Sequence, residues 1–376
     1  MDQQQKGYYP PPPQQQAYYA PPPPNQSGQY YQQPYYQPQP QPQPVYVQQQ
    51  PQRKDDNSMC LGCREDQDRE QTFQKRNRYS NEAVAQHYNA RPDVGVVKRK
   101  DSTIIRLRNF NNWVKSILIQ RHVRPRQCVL DMGCGKGGDL LKWAKAKIQH
   151  LVAADIAEVS MQQMQGRYQS LRDRRFTAEF YPMDCYSELL EPKLQPHIKF
   201  DTVSMQFCLH YAFENETKAR TMLKNVTSRL RSGGYFIGTM PDANWIVKRL
   251  RQEEKGSFGF GNSIYHIDFE NIREDDNGKK VGFTPFGCKY MFHLEDAVDC
   301  PEYLVHWNTL EKLASEYGLI LKFKENFHTF YANSLKVPEY SRLLERIGVV
   351  GGDKAEMSLE EWEAAGIYLA FAFEKR

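Results

Sequence analysis

The stretch Asp131-Met-Gly-Cys-Gly-Lys-Gly-Gly-Asp139 (DMGCGKGGD) decides the fold. An apolar run, CVLDM (128–132), enters it and a helical stretch (about 139–147) leaves it, so its glycines make the turn from a strand into a helix. The same rhythm continues downstream. Short β-rich runs at HLVAADI (150–156), FTAEFYPMD (176–184), FDTVSMQFCLH (200–210) and GYFIGTM (234–240) alternate with helical stretches near 159–172 and 214–231. Strands that alternate with helices predict an α/β fold with a doubly wound, mostly parallel sheet. Ser232-Gly233-Gly234 reads as a turn introducing the fifth strand.

Upstream, Phe110, Trp113, Val114, Ile117 and Leu118 form the stripe of an amphipathic helix within 104–123, with Asn111, Asn112 and Lys115 on its other side. Residues 242–300 break the alternation, being polar and aromatic with scattered glycines, and read as a segment inserted at the strand ends. A helix near 308–317 and a strand near 319–330 follow. Ser358-x-x-Glu361 has the spacing of a capping box, Gly366 would end its helix, and IYLAFAFE (367–374) supplies a last strand.

Composition divides the rest. Residues 1–52 hold 14 of the 23 prolines and 9 of the 23 tyrosines, with Asp2 and Lys6 as the sole charges. So few aliphatic side chains cannot offset the entropy of ordering, which predicts a disordered Gln/Pro/Tyr-rich tail. Residues 53–78 read as a charged linker, and 79–376 as one folded domain. The net charge of +5 falls almost wholly outside the tail and agrees with a polyanionic ligand without demanding one. Eight cysteines follow no disulfide framework, and no secretory or long apolar run is present, so a reducing compartment and no membrane are expected. Cys60-Leu-Gly-Cys63 has no second pair at zinc spacing, and no metal is expected.

Two ligands compete for the glycine loop. Gly133-x-Gly135-x-x-Gly138 has the spacing of a dinucleotide fingerprint. Asp131-x-Gly133-x-Gly135-x-Gly137 resembles the S-adenosylmethionine loop of class I methyltransferases. The acids decide between them. Asp131, Asp155 and Asp184 each stand at or near the carboxyl end of successive strands. Three carboxylates repel a diphosphate, whereas S-adenosylmethionine offers a sulfonium, an ammonium, a ribose diol and an adenine amine to meet them. A strand-end Asp can also simply cap the following helix.

Longer motifs carry a closer resemblance. LRNFNNWVKSIL (107–118), VLDMGCGKGGDLLKW (129–143), ADIAEVS (154–160), MQFCLHYAFE (205–214), LRSGGYFIGTMPD (230–242), FGCKYMFHLEDAVDCPEYLV (286–305) and WEAAGIYLAFAFEK (362–375) resemble the eukaryotic mRNA cap guanine-N7 methyltransferases. That resemblance implies a Rossmann-like class I methyltransferase fold with an antiparallel last strand. It implies a cofactor pocket of Lys115, Gly133, Asp155, Asp184, Gln206 and Tyr211, with Asp131 behind them, and S-adenosyl-L-methionine as cofactor. It implies cap contacts from Asn111, Asn112, Lys136, Lys142, Arg167, His210, Glu302 and Tyr368.

The implied chemistry suits those side chains. Guanine N7 carries a lone pair and no proton, so its methylation needs alignment and a matched electrostatic surround, and no general base is expected. Glu302 would accept from the N1–H and N2–H₂ edge of guanine, while Lys136, Lys142 and Arg167 suit the triphosphate bridge. Read singly, Glu302 and Lys142 are as consistent with solvated surface charges, and Tyr368 with ordinary sheet packing. A dehydrogenase would need a proton relay, and a 2′-O methyltransferase a lysine-centred base, and neither motif is present. A cap-binding scaffold without turnover is the non-enzyme alternative. The resemblance further implies the capped 5′ end of nascent mRNA as partner, other capping enzymes or the transcription machinery as further partners, a monomer, and a nuclear location. Short basic runs at 75–78 and 98–100 agree with import.

Overall fold

The computed structural model describes Asn89 and residues 102–172, 174–350 and 356–376. The Gln/Pro/Tyr tail, the linker with Cys60 and Cys63, and both basic runs lie outside the described residues.

Helix α1 (Ile105–His122) buries the predicted stripe of Phe110, Trp113, Val114, Ile117 and Leu118, and Leu107 and Ile119 with it. It stops where Val123 turns extended, two residues before Pro125, which cannot continue a helix. The chain then alternates as β1 (Cys128–Met132), α2 (Leu140–Ala146), β2 (His150–Asp155), α3 (Glu158–Gln169), β3 (Thr177–Pro182), β4 (Phe200–Gln206), α4 (Glu216–Thr227) and β5 (Leu230–Pro241). After α5 (Ala243–Leu250) come β6 (Gly259–Gly261), β7 (Tyr265–Phe269), β8 (Arg273–Glu274), β9 (Lys280–Val281), β10 (Lys289–Leu294) and β11 (Val298–Tyr303). The last elements are α6 (Trp307–Glu316), β12 (Leu319–Asn326), α7 (Phe327–Ser334), α8 (Pro338–Ile347), α9 (Leu359–Ala365) and β13 (Tyr368–Lys375).

The large sheet runs β12-β13-β5-β4-β1-β2-β3. Neighbours from β3 to β5 pair parallel, while β13 pairs antiparallel with both β5 and β12. Its central strands are buried on both sides, which is why their sequences are near-continuous apolar runs. One side packs Phe200, Phe213, Met222, Phe236 and Phe371, and the other packs Trp143, Leu118, Val129, Leu151 and Ile237. A second sheet, β11-β10-β7-β6, is antiparallel and occupies the stretch where the alternation lapsed. The strand order reverses between β1 and β4, so a crevice opens at their carboxyl ends.

Several boundaries differ from the sequence reading, each for a physical reason. Ser232-Gly233-Gly234 is a bulge inside β5 and not a turn before it, because Leu230 already pairs with Phe200 and the register resumes at Thr202 with Tyr235. The strand starting at 200 ends at Gln206, since Phe207 turns to φ +60°. The strand starting at 319 ends at Asn326, whose side chain accepts the His328 N–H at 3.1 Å and starts α7. Asp242 likewise caps α5 within the segment read as irregular. The capping box at Ser358 forms in both directions at 3.1 Å, and Glu361 also accepts the Leu107 N–H at 3.0 Å, tying α9 to the start of α1.

Candidate active site

The glycine loop is held by the two strands beside it. Gly133 sits at φ +68° with its N–H on the Ala154 carbonyl at 2.8 Å, and a methyl in place of its hydrogen would lie 2.5 Å from Cys208 Sγ. Only glycine fits there. Gly135 also has positive φ, but a side chain there would meet nothing within 4 Å. The loop therefore presses its first glycine into the protein and presents the second to open space.

That space is a cleft of ≈ 220 Å³ at the β1–β4 switch point. Gly133, Gly135, Asp155, Asp184, Gln206 and Tyr211, all read from the sequence as site residues, line it. Asp155 accepts the Gly135 N–H and the Ala157 N–H, each at 2.8 Å. Burial raises its pKa while those two donors pull the other way. Asp184 accepts the Tyr186 N–H at 2.9 Å and the Ser187 hydroxyl at 2.7 Å. Both acids cap the next turn and also face the cleft, so capping and ligation are compatible here. Gln206 is pinned by Ser204 and Thr239, at 3.0 and 3.1 Å.

Asp131 is not a lining residue. It lies beneath the loop, 3 % exposed, accepting the Trp143 indole N–H at 3.0 Å. Burial, with the charge of Asp139, pushes its pKa up to about 7, against the pull of Trp143 and Lys115. Asp139 behaves oppositely. Burial would raise its pKa, yet Lys115 at 2.9 Å and Lys142 at 2.7 Å hold it well below the ordinary carboxylate range. Lys142 also donates to Asn112 Oδ1 at 2.9 Å, and burial lowers its own pKa. One buried carboxylate thus gathers Lys115, Lys142 and, through Lys142, Asn112. The neighbouring Asn111 Oδ1 is buried with no hydrogen-bond partner among the described residues. Arg167, on the last turn of α3, donates to the Lys136 carbonyl at 2.8 Å and braces the loop from the other side.

The remaining predicted residues cluster on the other flank. Glu302, 4 % exposed, accepts the Tyr290 hydroxyl at 2.8 Å, and its other oxygen lies 3.2 Å from His210 Nε2 without the alignment of a hydrogen bond. The His210 ring packs against Tyr211, centroids 4.2 Å apart, and Tyr211 reaches the cleft. Tyr368 meets Phe207 edge-on at 5.0 Å, and Phe207 also lines the cleft. Sequence reasoning passed over Asp139, Phe207 and Tyr290. Asp139 closes the quoted loop and precedes Lys142 by three residues, which is a legible pairing. Tyr290 sits on the buried side of an alternating strand, where a hydroxyl needs a partner.

The charge of the cleft discriminates between the two ligands first considered. Its lining contains Asp155, Asp184 and Glu214 and, among the described residues, no Lys or Arg. Such a surface favours a cation over a diphosphate. The model of the mRNA (guanine-N(7))-methyltransferase domain matches residues 71–376. The chain belongs to that family. It is 46 % identical over 308 residues to the mRNA cap guanine-N(7) methyltransferase 1 of Oryza sativa subsp. japonica, covering 80 % of this chain and 82 % of that one. It is 42 % identical over 342 residues to the mRNA cap guanine-N(7) methyltransferase of Schizosaccharomyces pombe (strain 972 / ATCC 24843), covering 88 % and 91 %. The cofactor of this guanine-N7 methyltransferase family member is S-adenosylmethionine, and the acid-lined cleft with its open Gly135 fits that cation.

Proposed function

We propose that this chain transfers a methyl group from S-adenosylmethionine to N7 of the terminal guanosine of the 5′-5′ triphosphate mRNA cap, by alignment and electrostatics without a general base. The observation that carries this reading is the way one cleft is set against a buried acid. An acid-lined, cation-seeking cleft is joined through Tyr211 and His210 to a buried carboxylate, Glu302, held by Tyr290.

When bound, S-adenosylmethionine supplies an electrophilic methyl on a positively charged sulfur. The chain's residues bind and orient. Asp155 takes the ribose diol, Asp184 the adenine amine, and Gln206 and Tyr211 close the walls. Gly133 lets the loop approach, Lys115 would meet the donor's carboxylate from its seat on Asp139, outside the cleft lining, and Asp131 contributes from behind. Glu302 accepts from the paired N–H donors of guanine, which specifies the base and offsets the positive charge growing on its ring. His210 and Tyr368 pack beside the purine, and Asn111, Asn112, Lys136, Lys142 and Arg167 serve the phosphate bridge. Asp131, whose pKa burial raises to about 7, is buried under Trp143 and outside the cleft lining, so it is not placed to act as a base on substrate. None is needed, because guanine N7 has no proton to lose.

The test uses full-length protein, RNA ending in GpppA and methyl-labelled donor, followed by digestion and product identification. Label in 7-methylguanosine is expected. Label on ribose, or none, would overturn the reading. We further place the protein in the nucleus with nascent capped transcripts, acting as a monomer beside other capping enzymes or the transcription machinery. Cell fractionation and sedimentation would check this, and an exclusively cytosolic or stably dimeric protein would contradict it.

A further inference from the structure

A second concave surface lies at the opposite, amino-terminal end of the large sheet's central strands. Two cavities there, ≈ 170 and ≈ 420 Å³, share Arg231 and Ser232. The first is formed by the end of α1 and the starts of β1, β4 and β5, and adds Arg121 and Arg124. The second lies at the turn from α4 into β5, and adds Lys199 and Arg229. The bulge at Ser232-Gly233-Gly234 walls the first cavity and reaches the second through Ser232, with Ser232 and Gly233 exposed and Gly233 at φ +76°. A bulge costs the sheet ladder hydrogen bonds, and here it turns the strand into a surface.

Charge is one-sided in this groove. Asp201 is the sole carboxylate in either lining among the described residues, and it is already committed to the Cys128 N–H at 2.8 Å and Arg231 at 3.3 Å. Arg229 reaches Glu191 on the rim at 3.0 Å. Arg121 is braced by Ser334 at 2.9 Å and lies over the Phe330 ring at 4.8 Å, while the Arg231 side chain is 53 % exposed. The cations are therefore partly ordered yet accessible. His122 between them responds to that field: its pKa falls through burial first, and through Arg121 and Arg124 in addition.

We propose that this groove binds the phosphate backbone of the transcript beyond its cap. The inference rests on the cap reading given above, because a capped RNA brings its own polyanion, already tethered to the protein at one end. Tethering raises the local concentration of that chain and makes weak contacts count. An acidic peptide would have no such advantage. Geometry sets a length requirement. Gln206 lines the donor cleft and Asp201 the groove, so the two sites are separated by the depth of β4, roughly 17 Å at ~3.3 Å per residue. A cap dinucleotide confined to the cleft cannot span that depth.

The experiment compares wild type with the double variant Lys199→Ala/Arg231→Ala in the full chain, neither residue having a place in the cap or donor machinery. GpppA and a capped RNA of about 20 nucleotides are the two substrates. With GpppA, kcat and KM should stay at wild-type values, which also reports that the variant folds. With the long RNA, KM should rise about 3- to 10-fold, and its log–log dependence on salt should flatten by about 1.4, at ~0.7 per lost single-strand phosphate contact. If wild type shows no better KM for the long RNA than for GpppA, or if the variant leaves the long-RNA KM and salt slope unchanged, the groove is not on the RNA path. Failure of wild type to methylate GpppA at all would instead strike the cap reading and not the groove.

Discussion

Asp131→Asn should stabilise this protein while weakening its hold on the methyl donor. Asp131 is 3 % exposed, and burial together with Asp139 raises its pKa from 3.8 to about 7. In the unfolded chain the group ionises near 4. The sign follows directly. Between those values the folded state binds a proton that the unfolded state does not, so this group's contribution is full below about pH 4 and is lost as pH rises to about 7. A gap of about three units corresponds to roughly 4 kcal/mol at 1.36 kcal/mol per unit. The carboxylate shares its field with Lys115 and Asp139, so a realised gain of about 2–4 kcal/mol at pH 8 is the reasonable range. An Asn keeps the oxygen that accepts from the Trp143 indole at 3.0 Å and nearly the same volume. At about 2–4 °C per kcal/mol, the melting temperature should rise by about 4–16 °C at pH 8, with the difference shrinking toward zero near pH 4. Calorimetry across pH 4–8 measures the difference, and titration calorimetry with S-adenosylhomocysteine measures the loss of affinity. A variant less stable than wild type at pH 8, or a melting difference independent of pH, would show that Lys115 and Trp143 fully compensate the buried charge.

Glu302→Gln should lower kcat/KM for capped RNA about 10- to 100-fold, the value of a paired base-edge contact, and leave donor affinity nearly unchanged; collapse of donor binding in calorimetry would misplace Glu302. Tyr290→Phe removes the hydroxyl that Glu302 accepts at 2.8 Å but keeps the ring against Phe269. Cap KM should then rise about 5- to 10-fold, near the net worth of one ordinary hydrogen bond, with the melting temperature lowered only slightly. Gly133→Ala and Gly135→Ala should separate fold from function. The first drives a methyl within 2.5 Å of Cys208 Sγ and should cost about 2 kcal/mol or more of stability by denaturant titration. The second enters open space, should cost about 1 kcal/mol, and should impair donor binding out of proportion to that cost.

The features legible in the sequence were those whose cause is local. Glycines after an apolar run specify a strand–turn–helix whatever surrounds them, and Ser358 with Glu361 caps a helix by its own spacing. What sequence missed depends on who sits across. The glycines of Ser232-Gly233-Gly234 suit a turn and a bulge equally, and the pairing of Leu230 with Phe200, from a distant strand, makes them a bulge. Tyr290 looks like core by its alternation, and only the β10–β11 register, which sets it opposite Glu302, turns it into a positioning group. The Lys115–Asp139 pair joins residues 24 apart through the packing of α1 on α2, which no spacing rule announces.

Charge placement also supports the proposed transfer without a base. Asp139 collects Lys115 and Lys142 below the ordinary carboxylate range, while Asp131, a few residues earlier, is driven toward neutrality. Cations thereby concentrate at one carboxylate beside the loop, and among the described residues the charged groups lining the cleft are all acids. A cationic donor entering such a cleft meets negative potential from fixed groups that need no reorganisation when charge moves. In the proposed transfer the positive charge would pass from sulfur to the purine, and Glu302, the carboxylate proposed to meet that base, is already held by Tyr290. On that reading carboxylates at both ends of the displacement would keep its charge stabilised throughout, and binding geometry with fixed charge would supply what proton transfer supplies elsewhere.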